Sequence, residues 1–410
     1  MNSKERKELR YQRRKANREA RINNRYEFKD FESLFSFHNL YKSGKKVCNH
    51  ARWKTSVITF ETLLLKKVTE VYSKIHKGLR KFPGFHSWVT TDRGKARDIN
   101  SLPISERALQ KCLCFYLLIP LFSKSFICDN GACIKYKGMS FTLKRLKKQL
   151  STHYRKYGSN GGIYQFDFKE YFLSLPHEQL KERLRKKIRD DKIYDLAASF
   201  VDDFQHMKGT IYSHRGVSLG TEISYIMALE YVNPLDHYIK EVLRVKGYAR
   251  YMDDGYIIAD SIEKLKEYQK LVHAFVETLG IKLHDKKDKI TPFKHHSFTF
   301  LKMRVHLDDN GKIVLRLSRK SIRAMRTKLK KFRKWLDTNR KKNWNINDIT
   351  ASYQSWRAYA KQCDSYRTLH NMDIHFVKLF RNELRTRKLK FKCTCPVKLT
   401  PDGWEYETDR

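Results

Sequence analysis

The spacing of apolar residues along this chain changes twice, and the two changes divide it into three parts. Up to roughly residue 160, apolar residues recur at helical spacing, as in ITFETLLLKKVTEVYSKIHKGL. From Ile163 to Ser318, short apolar runs alternate with polar residues as in β-strands, with amphipathic segments between them. Beyond Ser318 the spacing is helical again, as in RKSIRAMRTKLKKFRKW. The pattern predicts an α+β protein with a mixed centre between two helical parts.

Two strand-like segments of the central part carry acidic residues. GIYQFDFKEYF alternates apolar and polar residues behind a Gly-Gly pair, which predicts a strand with Asp167 at or near its end. GYARYMDDGYIIAD predicts a β-hairpin with Asp253 and Asp254 at its turn. Both segments therefore place carboxylates beside apolar residues.

The segments around these strands complete the predicted centre. SHRGVSLGTEISYIMALEYVNPLDHYI predicts a Gly-rich loop and a helix that Thr221 caps and Pro234 interrupts. SFTFLKMRVHL followed by GKIVLRLS predicts a second hairpin around DDNG. The centre is thus a set of hairpins and helices, which favours an antiparallel sheet.

Composition indicates the kind of partner. The chain has 86 Lys and Arg against 44 Asp and Glu, a formal charge of +42, and an anionic partner such as nucleic acid would offset the self-repulsion.

The longest apolar stretch, CLCFYLLIPLF, is too short to span a bilayer and predicts a buried helix. The N-terminal segment lacks the apolar core of a secretory signal, so we expect no membrane association and a cytoplasmic location. The 8 cysteines form no Cys-x2-Cys pair, and we expect no structural zinc.

The carboxylates indicate the chemistry. Asp-Asp-Gly alone is typical of a surface turn, but Asp167 lies at a second strand end inside the apolar FDF. If the two strands pair, three carboxylates converge at one sheet edge, where bound cations would offset their repulsion. Carboxylate oxygens suit Mg²⁺ or Mn²⁺, and a pair of such ions about 4 Å apart supports phosphoryl transfer. The sequence therefore favours a nucleotidyl transferase.

The motifs resemble those of reverse transcriptases. FDFKEYF, RGVSLGTEIS and YMDD, in this order, are similar to the three palm motifs of that family, and RDINSLPISERALQ resembles its fingers motif. LGIKLHDKKDKI and FTFLKMRV resemble the two motifs that follow the YMDD hairpin. The resemblance covers roughly residues 95 to 320 and implies a right-hand polymerase. It implies a basic N-terminal arm at 1–30, fingers at 31–160, a palm at 161–312, and a helical basic thumb and tail at 313–410.

The resemblance assigns the acidic residues to metal binding and catalysis. Asp167 and Asp253 would hold two Mg²⁺ ions, which Mn²⁺ can replace, and Asp254 would complete the cluster. Phe168 would contribute to both the metal and the nucleotide site. Lys287 matches the lysine that protonates the pyrophosphate leaving group, with Lys286 and Lys289 as competitors.

The resemblance also assigns substrate contacts. Tyr251 and Met252 would lie beneath the primer end, and Phe172 would be the steric gate that favours dNTPs over NTPs. Arg97, with Lys95 near it, would grip the incoming triphosphate. Phe172 is also compatible with core packing, and Arg97 or Lys95 taken alone is more typical of a solvated charge, so the assignment of these two cations depends on the motif context.

The middle motif departs from part of the family. Gly216 and Gly220 would let the backbone approach the template and the nascent base pair. Ser218 and Leu219 stand where retroviral and most group II intron enzymes have Pro-Gln, and Leu219 resembles diversity-generating retroelement enzymes and unclassified bacterial groups, which puts fidelity in doubt. Lys302 replaces the Gly usual in FLG of the primer-grip hairpin.

The type of enzyme follows from resemblance and elimination. Residues 318 to 390 suffice only for a basic thumb, so we expect no endonuclease or RNase H domain, and retron hallmarks are not visible. The compact bacterial reverse transcriptases of the unknown groups remain, several of which act in antiphage defence beside a structured noncoding RNA. The expected partners are such an RNA template, the cDNA or RNA–DNA hybrid, and dNTPs.

Several alternatives stay open. Within the class, they are a diversity-generating retroelement or intron-type enzyme and a template-independent or protein-primed DNA polymerase. An RNA-copying RNA polymerase would place a small or hydrogen-bonding residue where Phe172 stands. A non-catalytic RNA-binding chaperone would be marked by a lost carboxylate, and all three carboxylates are present.

Overall fold

The computed structural model describes residues 3–23, 30–49, 51–92, 95–206, 214–338, 345–386, 397–400 and 403–406. The chain forms two compact units. The first contains Met1–Gln149 and Ile163–Ile290, and the second contains Leu150–Gly162 and Thr291–Arg410. The division into fingers, palm and thumb stays a prediction.

Helices dominate the described chain before the first long strand. They are α1 (Ser3–Asn23), α2 (Phe31–Leu34), α3 (Phe37–Cys48), α4 (Thr55–Thr62), α5 (Leu64–His76), α6 (Ile104–Leu113), α7 (Ile119–Ser123) and α8 (Met139–Tyr157). A π-helical turn, Cys114–Leu118, joins α6 to α7. Its Cys114, Leu117 and Leu118 are buried, which confirms the predicted buried helical segment. The described helices include none with the length and apolar character needed to cross a bilayer.

The remaining helices divide between the centre and the C-terminal part. The central ones are α9 (Tyr171–Ser174), α10 (His177–Lys187), α11 (Asp191–Asp202), α12 (Glu222–His237) and α13 (Ile262–Thr278). The later ones are α14 (Arg319–Asp337), α15 (Ile346–Ala360), α16 (Tyr366–Leu379) and α17 (Arg381–Thr386). The helical character predicted beyond Ser318 is confirmed for α14 to α17, and Ser318 itself caps α14 by accepting from the Ser321 amide. The prediction is wrong for the C-terminal tail, where Val397–Thr400 and Gly403–Tyr406 form a β-hairpin.

The strands form two larger sheets and two hairpins. They are β1 (His86–Asp92), β2 (Lys95–Ser101), β3 (Gly162–Asp167), β4 (Gly247–Tyr251), β5 (Asp254–Ala259), β6 (Lys289–Pro292), β7 (Ser297–Phe300), β8 (Met303–Leu307), β9 (Ile313–Leu317), β10 (Val397–Thr400) and β11 (Gly403–Tyr406). The sheet orders are β4-β5-β3-β6 and β7-β8-β9, while β1 pairs with β2 and β10 with β11. The β4–β5, β7–β8 and β8–β9 pairs are antiparallel, so the predicted α+β class with antiparallel sheet is confirmed.

Strand β3 lies inside its sheet, between β5 and β6. All six of its residues are buried, although its sequence alternates apolar and polar side chains. The alternation therefore predicted the strand but not its environment. A strand with neighbours on both sides and helices packed over it places its polar residues, Gln165 and Asp167, in the interior.

Thr221 precedes α12 as predicted, but its side chain makes no capping hydrogen bond with the helix backbone. Two further local predictions are wrong. Pro234 does not interrupt α12, which continues to His237 before a π-helical turn at Tyr238–Val242. Most residues of α12 are buried, and this packing outweighs the backbone hydrogen bond that the proline removes. SFTFLKMRVHL is also not one strand but β7 and β8, joined at Leu301 and Lys302, whose φ angles are +46° and +66°.

Each unit has its own apolar core. In the first unit, side chains from the helices before β3 pack with those of β3, β4, β5 and the central helices. In the second, Met325, Leu329 and Phe332 of α14 pack with Tyr353 of α15 and Phe376 of α16. The first of these cores supports the strand ends that carry the acidic residues.

Candidate active site

The three predicted carboxylates lie together at one end of the first unit's sheet. Asp167 is the last residue of β3, Asp254 is the first residue of β5, and Asp253 lies in the turn before it. One carboxylate oxygen from each lies within 4.8 Å of the other two. Asp167 is only 3% exposed. The predicted hairpin is confirmed, and among the described residues this is the only group of acidic, His or Cys side chains that could hold a metal ion.

The hairpin turn differs in detail from the predicted one. Tyr251 pairs with Asp254, so the two turn residues are Met252 and Asp253 rather than Asp253 and Asp254. Met252 has a φ of +55°, in the left-handed region that residues with a side chain seldom adopt. Backbone strain of this kind is typical of functional turns and needs support from its surroundings.

Gly255 allows the two acidic strand ends to approach each other. A Cβ atom at this position would lie 2.3 Å from Cζ of Phe166, the neighbour of Asp167 on β3. No side chain fits there, so a glycine is needed for β5 to pack beside β3 at this point. Neighbouring residues in the sequence do not distinguish Gly255, because the side chain that a Cβ atom would meet, Phe166, lies far away along the chain.

The cluster has the electrostatics of a cation site. Burial raises the pKa of the Asp254 carboxyl to about 8, and a hydrogen bond with Asp167 and the charges of Asp253 and Asp167 act in the same direction. Without a cation, Asp254 therefore holds a proton at neutral pH. The carboxylate oxygens of the three clustered residues, and the repulsion between their charges, fit a hard divalent metal ion.

Lys287 joins the cluster from a separate segment. Its Nζ contacts Oδ2 of Asp167, and its side chain is about half exposed. Burial lowers the pKa of Lys287, but the hydrogen bond with Asp167 and the charges of the three carboxylates outweigh burial, so the net pKa is raised. Lys287 is the last residue of a short 3-10 turn, Asp285–Lys287. Lys286 and Lys289, the other candidates for the proton donor, are exposed.

Hydrogen bonds beside Asp167 explain why Lys287 reaches it. The Lys169 amide donates to Lys282 O and the His284 amide donates to Asp167 O, both at 2.8 Å. Phe168 lies between these bonds, opposite Leu283, with its side chain buried at 2% exposure. Only the backbone of Phe168 could therefore contact a metal or nucleotide, and its predicted role stays a prediction.

Phe172 packs beside the hairpin. Its ring meets Tyr225 edge-on, with centroids 5.4 Å apart, and packs against the cluster of Ala132, Leu229 and Met252. Its carbonyl accepts from the Val217 amide at 2.7 Å, so the Gly-rich loop is fixed to the same place. Tyr251 is half-buried and packs against the same cluster.

The two glycines of the middle motif lie where side chains would not fit easily. Gly216 has a φ of +92°, and a Cβ atom there would lie 2.6 Å from the Phe204 ring. Gly220 has a φ of +113°, and its Cβ would lie 3.3 Å from Asn100 O. Leu219 O accepts from the Asn100 amide at 3.4 Å, which links this loop to the end of β2.

The predicted triphosphate cations lie on β2. In the β1–β2 hairpin, Thr90 pairs with Arg97 and Asp92 with Lys95. The side chains of Lys95 and Arg97 are outside the described residues, and their predicted role stays a prediction.

The second unit contains a cationic cavity of about 670 Å³ between α14 and α16. Its lining residues are Arg323, Arg326, Thr327, Lys330, Asn371, Ile374, His375 and Lys378. Among the residues that the structure describes, the lining contains no carboxylate. Burial and the charges of Arg326 and Lys330 lower the pKa of His375, so this side chain is neutral at pH 7 among the cations. Such a surface is suited to phosphate groups.

Sequence reasoning missed a buried ion pair beneath the hairpin. Arg250 of β4 and Asp236 of α12 are both fully buried, with Arg250 Nη2 2.6 Å from Asp236 Oδ2. The available signal was an arginine within the apolar run of GYARY, which in the interior needs an acidic partner.

The acidic cluster at the end of this sheet fits the metal site of a nucleotidyltransferase. Residues 62–305 match the family described as "Reverse transcriptase (RNA-dependent DNA polymerase)", and the chain belongs to this family. Its members are RNA-directed DNA polymerases. The match confirms the predicted right-hand polymerase fold.

The chain is also similar to solved telomerase structures. An apo telomerase from Candida tropicalis, truncated from its C-terminal domain, is 14% identical with a TM-score of 0.43, over 57% of this chain and 55% of that chain. A telomerase from Candida albicans in complex with a TWJ fragment of telomeric RNA is 13% identical with a TM-score of 0.46, over 75% of this chain and 55% of that chain. The match thus spans little more than half of each telomerase chain. No curated protein matches the sequence.

Proposed function

We propose that this protein copies RNA into cDNA by two-metal nucleotidyl transfer. The observation that carries the proposal is the cluster of Asp167, Asp253 and Asp254, whose oxygens lie within 4.8 Å of one another in a chain of the reverse transcriptase family. Mg²⁺ is the proposed metal, and Mn²⁺ could replace it, because all the ligands are hard oxygens. When bound, such ions stabilise the attacking and leaving oxygens of the transfer.

The other residues of the site have proposed roles in the same reaction. Lys287, held protonated beside Asp167, donates a proton to the pyrophosphate leaving group. Phe172 limits the space at the sugar of the incoming nucleotide. The backbone at Gly216 and Gly220, with Leu219 between them, meets the template and the nascent base pair. Arg97 and Lys95 hold the triphosphate.

The proposed partners are an RNA template, the RNA–DNA hybrid and dNTPs. The formal charge of +42 favours a polyanion, and the cavity between α14 and α16 offers four Arg and Lys side chains to phosphate groups. Phosphate contacts of this kind hold a duplex without reading its sequence. They are compatible with a thumb that follows the minor groove of a hybrid.

Replacing Phe172 by Ala will weaken discrimination against ribonucleotides. A smaller side chain leaves room for the 2′-hydroxyl, and contacts of this size alter selectivity by about 10- to 100-fold. Primer extension on an RNA template, with single dNTPs and the matching NTPs, gives the ratio of the two kcat/KM values. We expect this ratio to fall in the variant while extension with dNTPs continues.

A matched control separates the gate from general loosening of the core. Phe126 packs against the same cluster as Phe172, so Phe126→Ala removes a ring of the same size from the same core. Its sugar selectivity should stay at the wild-type value. An unchanged selectivity in Phe172→Ala, or an equal loss in both variants, would contradict the gate assignment.

We further propose that the template is a dedicated structured noncoding RNA and that the enzyme acts in bacterial antiphage defence. The sequence resemblance to compact bacterial reverse transcriptases supports this part. Protein purified from phage-infected and uninfected cells should carry one discrete RNA together with cDNA complementary to it. Sequencing of both nucleic acids checks the expectation.

The double variant Asp253→Ala, Asp254→Ala is the control for this experiment. It should retain the RNA and lose the cDNA, because the proposed RNA contacts are separate from the carboxylates. A heterogeneous RNA population with matching cDNA would exclude the dedicated template but leave polymerisation supported. RNA with no cDNA in the wild-type protein from infected cells would instead indicate a binding protein.

A further inference from the structure

The first strand of the acidic hairpin carries an arginine whose guanidinium group is fully buried. Arg250 lies on β4, and Asp236 lies near the end of α12. Arg250 Nε donates to Asp236 Oδ1 at 2.8 Å and Nη2 donates to Oδ2 at 2.6 Å. Tyr248 Oη also donates to Asp236 Oδ1, at 2.5 Å. The carboxylate is therefore held from both sides, and the planar guanidinium has one fixed orientation.

The remaining branch of Arg250 reaches the strained turn. Its Nη1 donates to the carbonyl of Met252 at 2.7 Å. Met252 is the residue with a φ of +55°, and Asp253 follows it immediately. A peptide carbonyl fixed by a rigid donor limits the rotation of the next peptide. The bond therefore restricts the backbone position from which the Asp253 side chain extends.

The backbone of Arg250 is held as firmly as its side chain. Its amide donates to Asp129 O at 3.2 Å, and its carbonyl accepts from the Gly131 amide at 3.0 Å. The donor that reaches Met252 is thus anchored through α12, through β4 and through the segment at 129–131. A buried ion pair of this kind seldom stabilises a protein more than apolar side chains of similar volume would. A contribution to stability is therefore a weak explanation for the presence of the Arg250–Asp236 pair.

The second unit contains another buried Tyr–Asp–Arg triad, which lies between two helices. Arg357 Nε donates to Asp373 Oδ1 at 3.0 Å and to Oδ2 at 3.1 Å, and Tyr353 Oη donates to Asp373 Oδ1 at 2.8 Å. Both charged side chains are almost fully buried. This triad joins α15 to α16, whereas all three carboxylates of the acidic cluster belong to the first unit. It is a natural control for the effect of disturbing a buried Tyr–Asp–Arg triad.

We propose that Arg250 and Asp236 are positioning residues for the metal-binding carboxylates. Asp236 orients the guanidinium, the guanidinium fixes the Met252 carbonyl, and the fixed turn holds Asp253 beside Asp167 and Asp254. The proposal rests on the proposed function insofar as the cluster binds divalent metal. Supports of this kind behind metal ligands typically alter affinity or activity by about 10- to 100-fold.

Arg250→Lys tests the proposal with the charge retained. An ammonium can stay beside Asp236 but cannot bind it with two donors and reach Met252 in the same plane. We expect Mn²⁺ affinity, measured by electron paramagnetic resonance without nucleotide, to fall about 10-fold or more. Turnover should fall by a similar factor at fixed metal concentration, with little change in KM for dNTP. Arg357→Lys should leave Mn²⁺ affinity at the wild-type value.

A second variant covers the case in which Arg250→Lys does not fold. Arg250→Met combined with Asp236→Leu removes both charges, and replacing a buried pair in this way is tolerated in other proteins. This double variant should fold and bind Mn²⁺ weakly. Wild-type Mn²⁺ affinity in either folded variant, or an equal loss in Arg357→Lys, would overturn the proposal. The Mn²⁺ measurement does not need polymerisation, so it tests the positioning role even if the proposed polymerase activity fails.

Discussion

Replacing Asp254 by Asn will abolish DNA synthesis and at the same time stabilise the metal-free protein at neutral pH. Asparagine keeps the shape of the carboxyl group but cannot supply the negative charge for a divalent cation, so we expect extension to fall by about 10³-fold or more. Primer extension measures the first effect. Thermal unfolding in a chelating buffer measures the second, a rise in melting temperature of about 2 °C or more.

The pH dependence follows from the raised pKa of Asp254. Its pKa is about 8 in the folded protein, largely because of burial, against about 3.9 in an unfolded chain. The contribution of this group to stability is therefore complete below about pH 3.9 and is lost as the pH rises to about 8. The asparagine variant does not titrate. The stability gain of the variant over the metal-free wild type should be small near pH 4 and grow towards pH 8.

Two comparisons make this result specific. Adding Mg²⁺ should stabilise the wild type and have little effect on Asp254→Asn, because the cation replaces the proton in the acidic cluster. Asp260 follows the other end of β5 and pairs with Lys264 at the surface, so Asp260→Asn should change both activity and stability little. The metal-free stability of Asp254→Asn and that of the wild type should differ in their pH dependence. The same pH dependence in both proteins would contradict the prediction that Asp254 is buried in its protonated form.

The parts of the fold that could be predicted depend on local signals. The β4–β5 hairpin follows from two β-rich runs around a short polar turn, and β3 follows from alternation behind a Gly-Gly pair. The motif order then places Asp167 near Asp253 and Asp254 because strands of one sheet share an edge. These features could be predicted from residues that are neighbours in the sequence, together with the resemblance to a family.

The parts that could not be predicted depend on residues far apart in the chain. Pro234 stays inside α12 because the surrounding core holds the helix, and no local rule reports that core. Met252 takes a left-handed conformation without any turn signal of its own, because Arg250 and Asp236 support it. Gly255 matters only because Phe166 lies against it. In each case tertiary contacts, rather than propensity, determine the outcome.

Replacing Lys287 by Ala will slow nucleotide addition by about 10²- to 10⁴-fold, the range typical of a lost general acid. Lys287 lies against Asp167, and the carboxylates keep its pKa raised, so it carries a proton throughout the neutral range. Loss of that proton donor should lower kcat more than it raises KM for dNTP. Single-turnover incorporation, measured across pH, separates the chemical step from product release.

The remaining question is whether Lys287 donates a proton or only neutralises Asp167. Lys287→Arg answers it, because a guanidinium keeps the positive charge beside the carboxylate but does not release a proton in this pH range. If proton donation matters, Arg should rescue little of the lost rate. If it restores most of the rate, the residue acts through charge alone. Lys286→Ala and Lys289→Ala alter neighbouring exposed lysines and should keep near-wild-type rates, and a loss in either one comparable to Lys287→Ala would transfer the role to that residue.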